Sequence, residues 1–79
     1  MFSDRFGYPD RGTVDRLKEE FPKGCRVMLD YMDDRNAPPS GTKGTVIGVD
    51  GIGSIMVNWD NGSTLSVAYG ADSCHRISR

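Results

Sequence analysis

Between Ser54 and Val67 the chain reads as two alternating runs joined by a tight turn: Ile55, Val57 and Trp59 precede Asp60-Asn61-Gly62, and Leu65 and Val67 follow it. A period of two sends successive side chains to opposite faces of a strand, and Asn-Gly tolerates the positive φ angles of a two-residue hairpin turn. Such punctuation dictates antiparallel sheet with one apolar face. The same period runs upstream, where Cys25, Val27, Leu29 and Tyr31 alternate with Arg26, Met28 and Asp30. Lys43 to Val49 resumes as a strand, Asp50-Gly51 is the turn before the next, and Tyr69-Gly70-Ala71-Asp72 is a last turn ahead of a closing strand from Cys74 to Ile77.

Five short strands, with hairpins between the middle three, predict a mainly β domain: a small five-stranded barrel of SH3-like build, because closure removes exposed edges. A short helix over residues 13–21 is expected in front of it. Thr13 is placed to cap, Asp15 lies in the first turn, Val14, Leu17 and Phe21 recur at helical spacing, and Pro22 and Gly24 end the run. Residues 1–12 mix aromatics with Arg, Gly and Pro without a period and read as a flexible arm, leaving 13–79 as a single domain. With 79 residues only a thin core can form.

Ten Lys plus Arg against eleven Asp plus Glu leave a formal net charge of -1. No overall field therefore holds a polyanion, although a local patch is compatible with this balance. The first residues contain no apolar run that signals export or membrane insertion, so a cytoplasmic location is expected. In a reducing compartment Cys25 and Cys74 are expected as packed, unbridged thiols.

Candidates for chemistry are sparse. Asp33-Asp34, with Asp30 nearby, form an acidic cluster on the polar stretch Met32 to Gly41, but no further ligand or partner completes a metal or acid/base site. Cys74-His75 lacks metal-ligand spacing, and neighbours on a strand face opposite ways, which separates a nucleophile from its base. Glycines 41, 44, 48, 51 and 53 match no phosphate-loop spacing and read as strand bends and turns. No enzyme activity and no cofactor are expected. Trp59 is either core or the wall of a groove, an ambiguity shared by Tyr31 and Tyr69.

The segments DRLKEEFPKGCRVML and MDDRNAPPSGTKGTVIGVDGIGSIMVNWDNGSTLSVAYGADSCHRI carry Asp-Asp, Pro-Pro, Gly-Thr-x-Gly-Thr-Val, Val-Asp-x-Ile-Gly and Trp-Asp-Asn-Gly-Ser in order. With these elements, Val14 to Ile77 resembles the domain of unknown function 4314 family of bacteria, their phages and conjugative elements. GTVIGVDGIGSIMVNWDNGS is more remotely similar to the SH3-like repeats of mind-bomb and HERC-type ubiquitin ligases, which bind peptide segments. The resemblance implies a fold and a genomic setting, without an activity or a cofactor.

Two functions compete. The first is a non-enzymatic protein-binding module whose surface is Tyr31, Met32, Asp33, Asp34, Arg35, Asn36 and Pro38 beside Trp59 and Asp60, since long loops on a rigid scaffold carry recognition. The genomic setting makes a host defence nuclease the expected partner, with the module acting as an inhibitor of the anti-CRISPR kind. The second is nucleic-acid binding through Arg5, Arg11, Arg26, Lys43 and Arg76, with Phe6, Tyr8 or Trp59 stacking on bases. A homodimer formed through an exposed apolar face is compatible with either.

Overall fold

Asp10 starts the helix. The computed structural model describes residues 9–78, so the part of the expected arm that carries Arg5, Phe6 and Tyr8 lies outside the described residues. Helix α1 spans Arg11–Glu20, and the extended Asp10 accepts the Thr13 N–H on its carboxylate at 2.8 Å. The sequence reading placed the cap at Thr13. Aspartate caps as well as threonine, and with Asp10 in that role Thr13 supplies the third N–H of the helix, one of the donors left without an intrahelical partner. The Phe21 N–H closes the last turn on the Leu17 carbonyl at 2.8 Å, just before Pro22.

Four strands follow: β1 (Arg26–Tyr31), β2 (Lys43–Val49), β3 (Ile55–Trp59) and β4 (Ser73–Ser78). They form one antiparallel sheet in the order β3-β2-β1-β4. The alternation read from the sequence sets the core: Cys25, Val27 and Leu29, Val46, and Ile55, Val57 and Trp59 are buried together under Phe21, with Leu17 packed against them.

The alternation breaks at Tyr31. Leu29 pairs with Cys74 and Tyr31 with Ser73, so Asp30 is an extra residue on β1. A bulge of this kind shifts the phase of the side chains beyond it. Tyr31 is consequently 56% exposed, and Met32, read as the start of a polar loop, is buried in the core.

The fifth strand does not form. Beyond the turn, the chain touches β3 through a single bridge, in which Ile55 and Val67 exchange both backbone bonds at 2.9 Å. Trp59 N–H also donates to the Ser63 carbonyl at 2.9 Å, and the same register sets Leu65 opposite Val57. There the ladder is diverted: the Leu65 carbonyl receives the Trp59 indole N–H at 2.8 Å, and the Leu65 N–H goes to Ser63 Oγ at 3.3 Å. A tryptophan donor buried beside the turn must find an acceptor, and it takes one that the strand would have used.

The hairpin turn also differs from the expected two-residue form. Gly62 N–H bonds to the Trp59 carbonyl at 2.9 Å, no residue other than glycine has positive φ among those described, and Gly62 takes φ 96. Asp60 and Asn61 thus occupy the middle of an ordinary turn that ends on a left-handed glycine, the three-residue hairpin loop with a bulge. The β2–β3 connection repeats it: Gly53 N–H bonds to the Asp50 carbonyl at 3.1 Å, Asp50 N–H to the Ser54 carbonyl at 3.0 Å, and Gly53 rather than Gly51 takes the positive φ, 84.

Candidate functional site

The stretch between β1 and β2 is polar in sequence, which predicts a loop, but its fixed shape comes from buried feet. Met32 and Pro38 are buried, while Asp33, Asp34, Arg35 and Asn36 are exposed between them. Asp34 organises the tip, accepting the Asn36 N–H on its carboxylate at 2.7 Å and the Ala37 N–H on its carbonyl at 3.0 Å. Ser40 Oγ donates to the Asp30 carbonyl at 2.7 Å.

A long-range tie completes the frame. Asp72 accepts the Asp33 N–H on one carboxylate oxygen at 2.8 Å and the Ala68 N–H on the other at 2.8 Å. One side chain thereby joins the β1–β2 loop to the turn before β4. Asp72 was read only as a turn residue, and nothing local in sequence marks a bond across 39 positions.

Trp59 is part of the core, and Asp60 is exposed but paired. Trp59 is 3% exposed, which settles its ambiguity in favour of core and removes it both as a groove wall and as a platform for bases. Asp60 is held by Arg26 in a two-pronged pair, Nη1 to Oδ1 at 2.9 Å and Nη2 to Oδ2 at 2.6 Å, while Nη1 also donates to Thr45 Oγ1 at 3.0 Å. Residues proposed for two different partners thus satisfy one another.

Of the basic set, Lys43 joins Arg26 near Asp60, where its charge also favours the ionised carboxylate. Arg76 Nη1 donates to the Glu20 carbonyl at 3.0 Å, at the helix end where a cation is favoured. Lys43 and Arg11 are exposed, on β2 and at the start of α1. His75 Nδ1 lies 2.8 Å from Asp30 Oδ1 on the exposed side of β4, whereas Cys74 is half-buried beside the core, so the adjacent pair is split between faces.

The Arg26 hydrogen bonds hold the Asp60 carboxyl below its ordinary range, against a weaker opposing effect of desolvation. A carboxyl of lowered pKa stabilises the fold above its unfolded pKa and loses that contribution as pH falls through the folded value. Asp60→Asn is therefore expected to lower the melting temperature at neutral pH and to flatten the acid limb of its pH profile below about pH 4. Parallel profiles for the two proteins from pH 2 to 7, measured by thermal circular dichroism, would show that the pair contributes nothing. Burial, followed by Asp30, pushes the Cys74 thiol up to about 12, and burial also raises Cys25. Both cysteines are free and neither is poised as a nucleophile.

Beside the loop, an open cleft of about 260 Å³ lies where the sheet fails to close. One wall comes from the β3 edge, with Ile55 and its bridge partner Val67, and the other from Ser73 and Cys74 at the start of β4. Leu17 of α1 and Phe21 just after the helix line it as well, as do Glu20, Tyr69 and Asp72. Gly53 lies at this cleft with Pro9 packed on it: a Cβ there would fall 2.6 Å from Pro9 Cγ. Sequence reasoning missed the cleft, although the exposed Tyr69 in a Gly-flanked turn was a usable signal. Among the described residues no cluster of His, Cys, Asp and Glu has the arrangement of a metal site, and no helix is long and apolar enough to cross a membrane.

The family model described as Domain of unknown function (DUF4314) matches residues 10–77, and the chain belongs to that family. No curated protein and no solved structure matches the chain.

Proposed function

We propose that this member of the DUF4314 family is a non-enzymatic protein-binding module that recognises its partner through the tip of the β1–β2 loop. One observation carries the reading: exposed Asp33, Asp34, Arg35 and Asn36 stand on a frame already fixed by buried Met32 and Pro38 and by the Asp72 tie. A prearranged loop avoids much of the ordering entropy that binding otherwise costs, and mixed charges at its tip give specificity. The nucleic-acid alternative receives less support, because Arg26 is paired with Asp60 and Arg76 with the helix end.

In the same reading the open sheet is an SH3-like barrel whose fifth strand is reduced to the Val67 bridge. Its remote likeness to the peptide-binding repeats of mind-bomb and HERC-type ligases points to a protein ligand. The family's phage and mobile-element setting makes a host defence nuclease the first candidate partner.

The test compares wild type with Asp33→Lys and Arg35→Glu, whose side chains project from the tip without supporting it, in affinity capture from nuclease-treated host lysate. A stoichiometric partner held by wild type and weakened about tenfold or more by each charge reversal is expected. Capture that vanishes with nuclease treatment, or that ignores both substitutions, would defeat the proposal.

A further inference from the structure

We propose that the seam between the sheet edges receives an extended peptide segment, which pairs with the outer edge of β4 and drops one apolar side chain, next to a Lys or Arg, into the cleft. The proposal rests on the protein-binding reading above and names a second element of the partner. Three observations converge on it.

The first is topological. With the order β3-β2-β1-β4, β4 pairs with β1 on one side and, among the described residues, forms the sheet's outer edge on the other. An edge strand presents a row of backbone donors and acceptors, the template used when a peptide adds a strand to a sheet. Among the described residues the expected fifth strand is missing from the seam, and an added segment would supply it.

The second is the cleft itself. Ser73 and Cys74 both open β4 and line the cleft, so a segment on that edge passes directly over it. At about 260 Å³ the cleft is smaller than the roughly 300–1,000 Å³ typical of small-molecule sites. It is open and floored by Leu17, Phe21, Ile55 and Val67, which suits a single apolar side chain carried on a peptide.

The third is charge. Among the described residues lining the cleft, Glu20 and Asp72 are the acids and none is Lys, Arg or His. Both Asp72 oxygens already accept backbone N–H groups, so Glu20 is the acid that a basic neighbour of the anchor would meet. Arg76 bonds the Glu20 carbonyl and not its carboxylate, which has no hydrogen-bond or ion-pair partner among the described residues.

The test pans a random heptapeptide display library on the full chain, then titrates the enriched sequence, as a synthetic peptide, into isotope-labelled protein followed by NMR. Convergence on an apolar residue beside Lys or Arg is expected, with shifts in the Ser73 to Ser78 amides and in the Leu17, Ile55 and Val67 methyls. Glu20→Lys should weaken the peptide about tenfold, and the milder Glu20→Gln a few-fold, both on a folded protein because Glu20 is exposed. Failure to converge, convergence on acidic sequences, or shifts confined to the Asp33 to Asn36 loop would overturn the proposal. So would the same shifts appearing without peptide as protein concentration rises, which would give the seam to a second copy of the chain. If the seam stays silent while Asp33→Lys and Arg35→Glu still abolish capture, the binding-module reading stands and only the peptide seam falls.

Discussion

Trp59→Ala is expected to remove about 3–5 kcal/mol of stability, the range for truncating a buried aromatic. A chain of 79 residues has roughly 4–12 kcal/mol to lose, so the variant should be largely unfolded at 37 °C or melt far below wild type. Two effects combine. The ring is 3% exposed and packs with Val57 and Ile55 at the end of β3, so its removal opens a cavity in a thin core. Its indole N–H also holds the Leu65 carbonyl at 2.8 Å, the bond that sets the path of the chain after the turn.

Trp59→Phe separates them. It keeps an aromatic ring but deletes the donor, and leaving a part-buried carbonyl without its partner costs about 1–3 kcal/mol. For a domain of this size each kcal/mol moves the melting temperature by about 4–8 °C. Amide exchange at Val67 should accelerate more than exchange at Val46, because only the former depends on the chain beyond the turn. A Trp59→Phe protein within about 0.5 kcal/mol of wild type in urea would show that the indole bond does not direct the return segment.

The second large effect is expected at Gly44. A Cβ there would lie 2.6 Å from Val57 Cγ1, 2.8 Å from Trp59 Cε3 and 2.9 Å from the Asn58 carbonyl oxygen. Side chains can rotate away, but the Asn58 carbonyl belongs to the paired strand and cannot move without opening the ladder between β2 and β3. Overpacking of this kind costs about 1–3 kcal/mol and more where backbone must shift, which places Gly44→Ala at the upper end. Gly51→Ala is the contrast, since a Cβ there meets nothing within 4 Å and its φ is not positive. It should fall within about 0.5 kcal/mol of wild type. Equal urea midpoints for the two alanine variants would refute the close approach at Gly44.

Both sites show why the candidate surface was only partly legible. Gly44 was read with its neighbours as a bend, because a glycine required by a cross-strand approach looks the same in sequence as one required by a turn. That Asp33 to Asn36 lie on an exposed loop was legible, since clustered polar and turn-forming residues between two apolar runs are a local signal. Their neighbours were not. Asp72 and Glu20 acquire a place only when the turn before β4 and the end of α1 are brought beside the loop and the cleft. Arg26 and Asp60 were assigned to different partners for the same reason: 34 positions separate two residues that the sheet places at 2.6 Å.

The helix, the four strands and the apolar residues between them follow from the sequence alone, because period, caps and turn residues act over a few positions through local sterics and local hydrogen bonds. Tertiary structure alone decided which face Tyr31 and Met32 take after the Asp30 bulge, and whether the Leu65 carbonyl joins a ladder or an indole. Those outcomes turn on competition between acceptors and on volumes that meet only after the chain has folded. The open seam where a fifth strand was expected is the product of that competition.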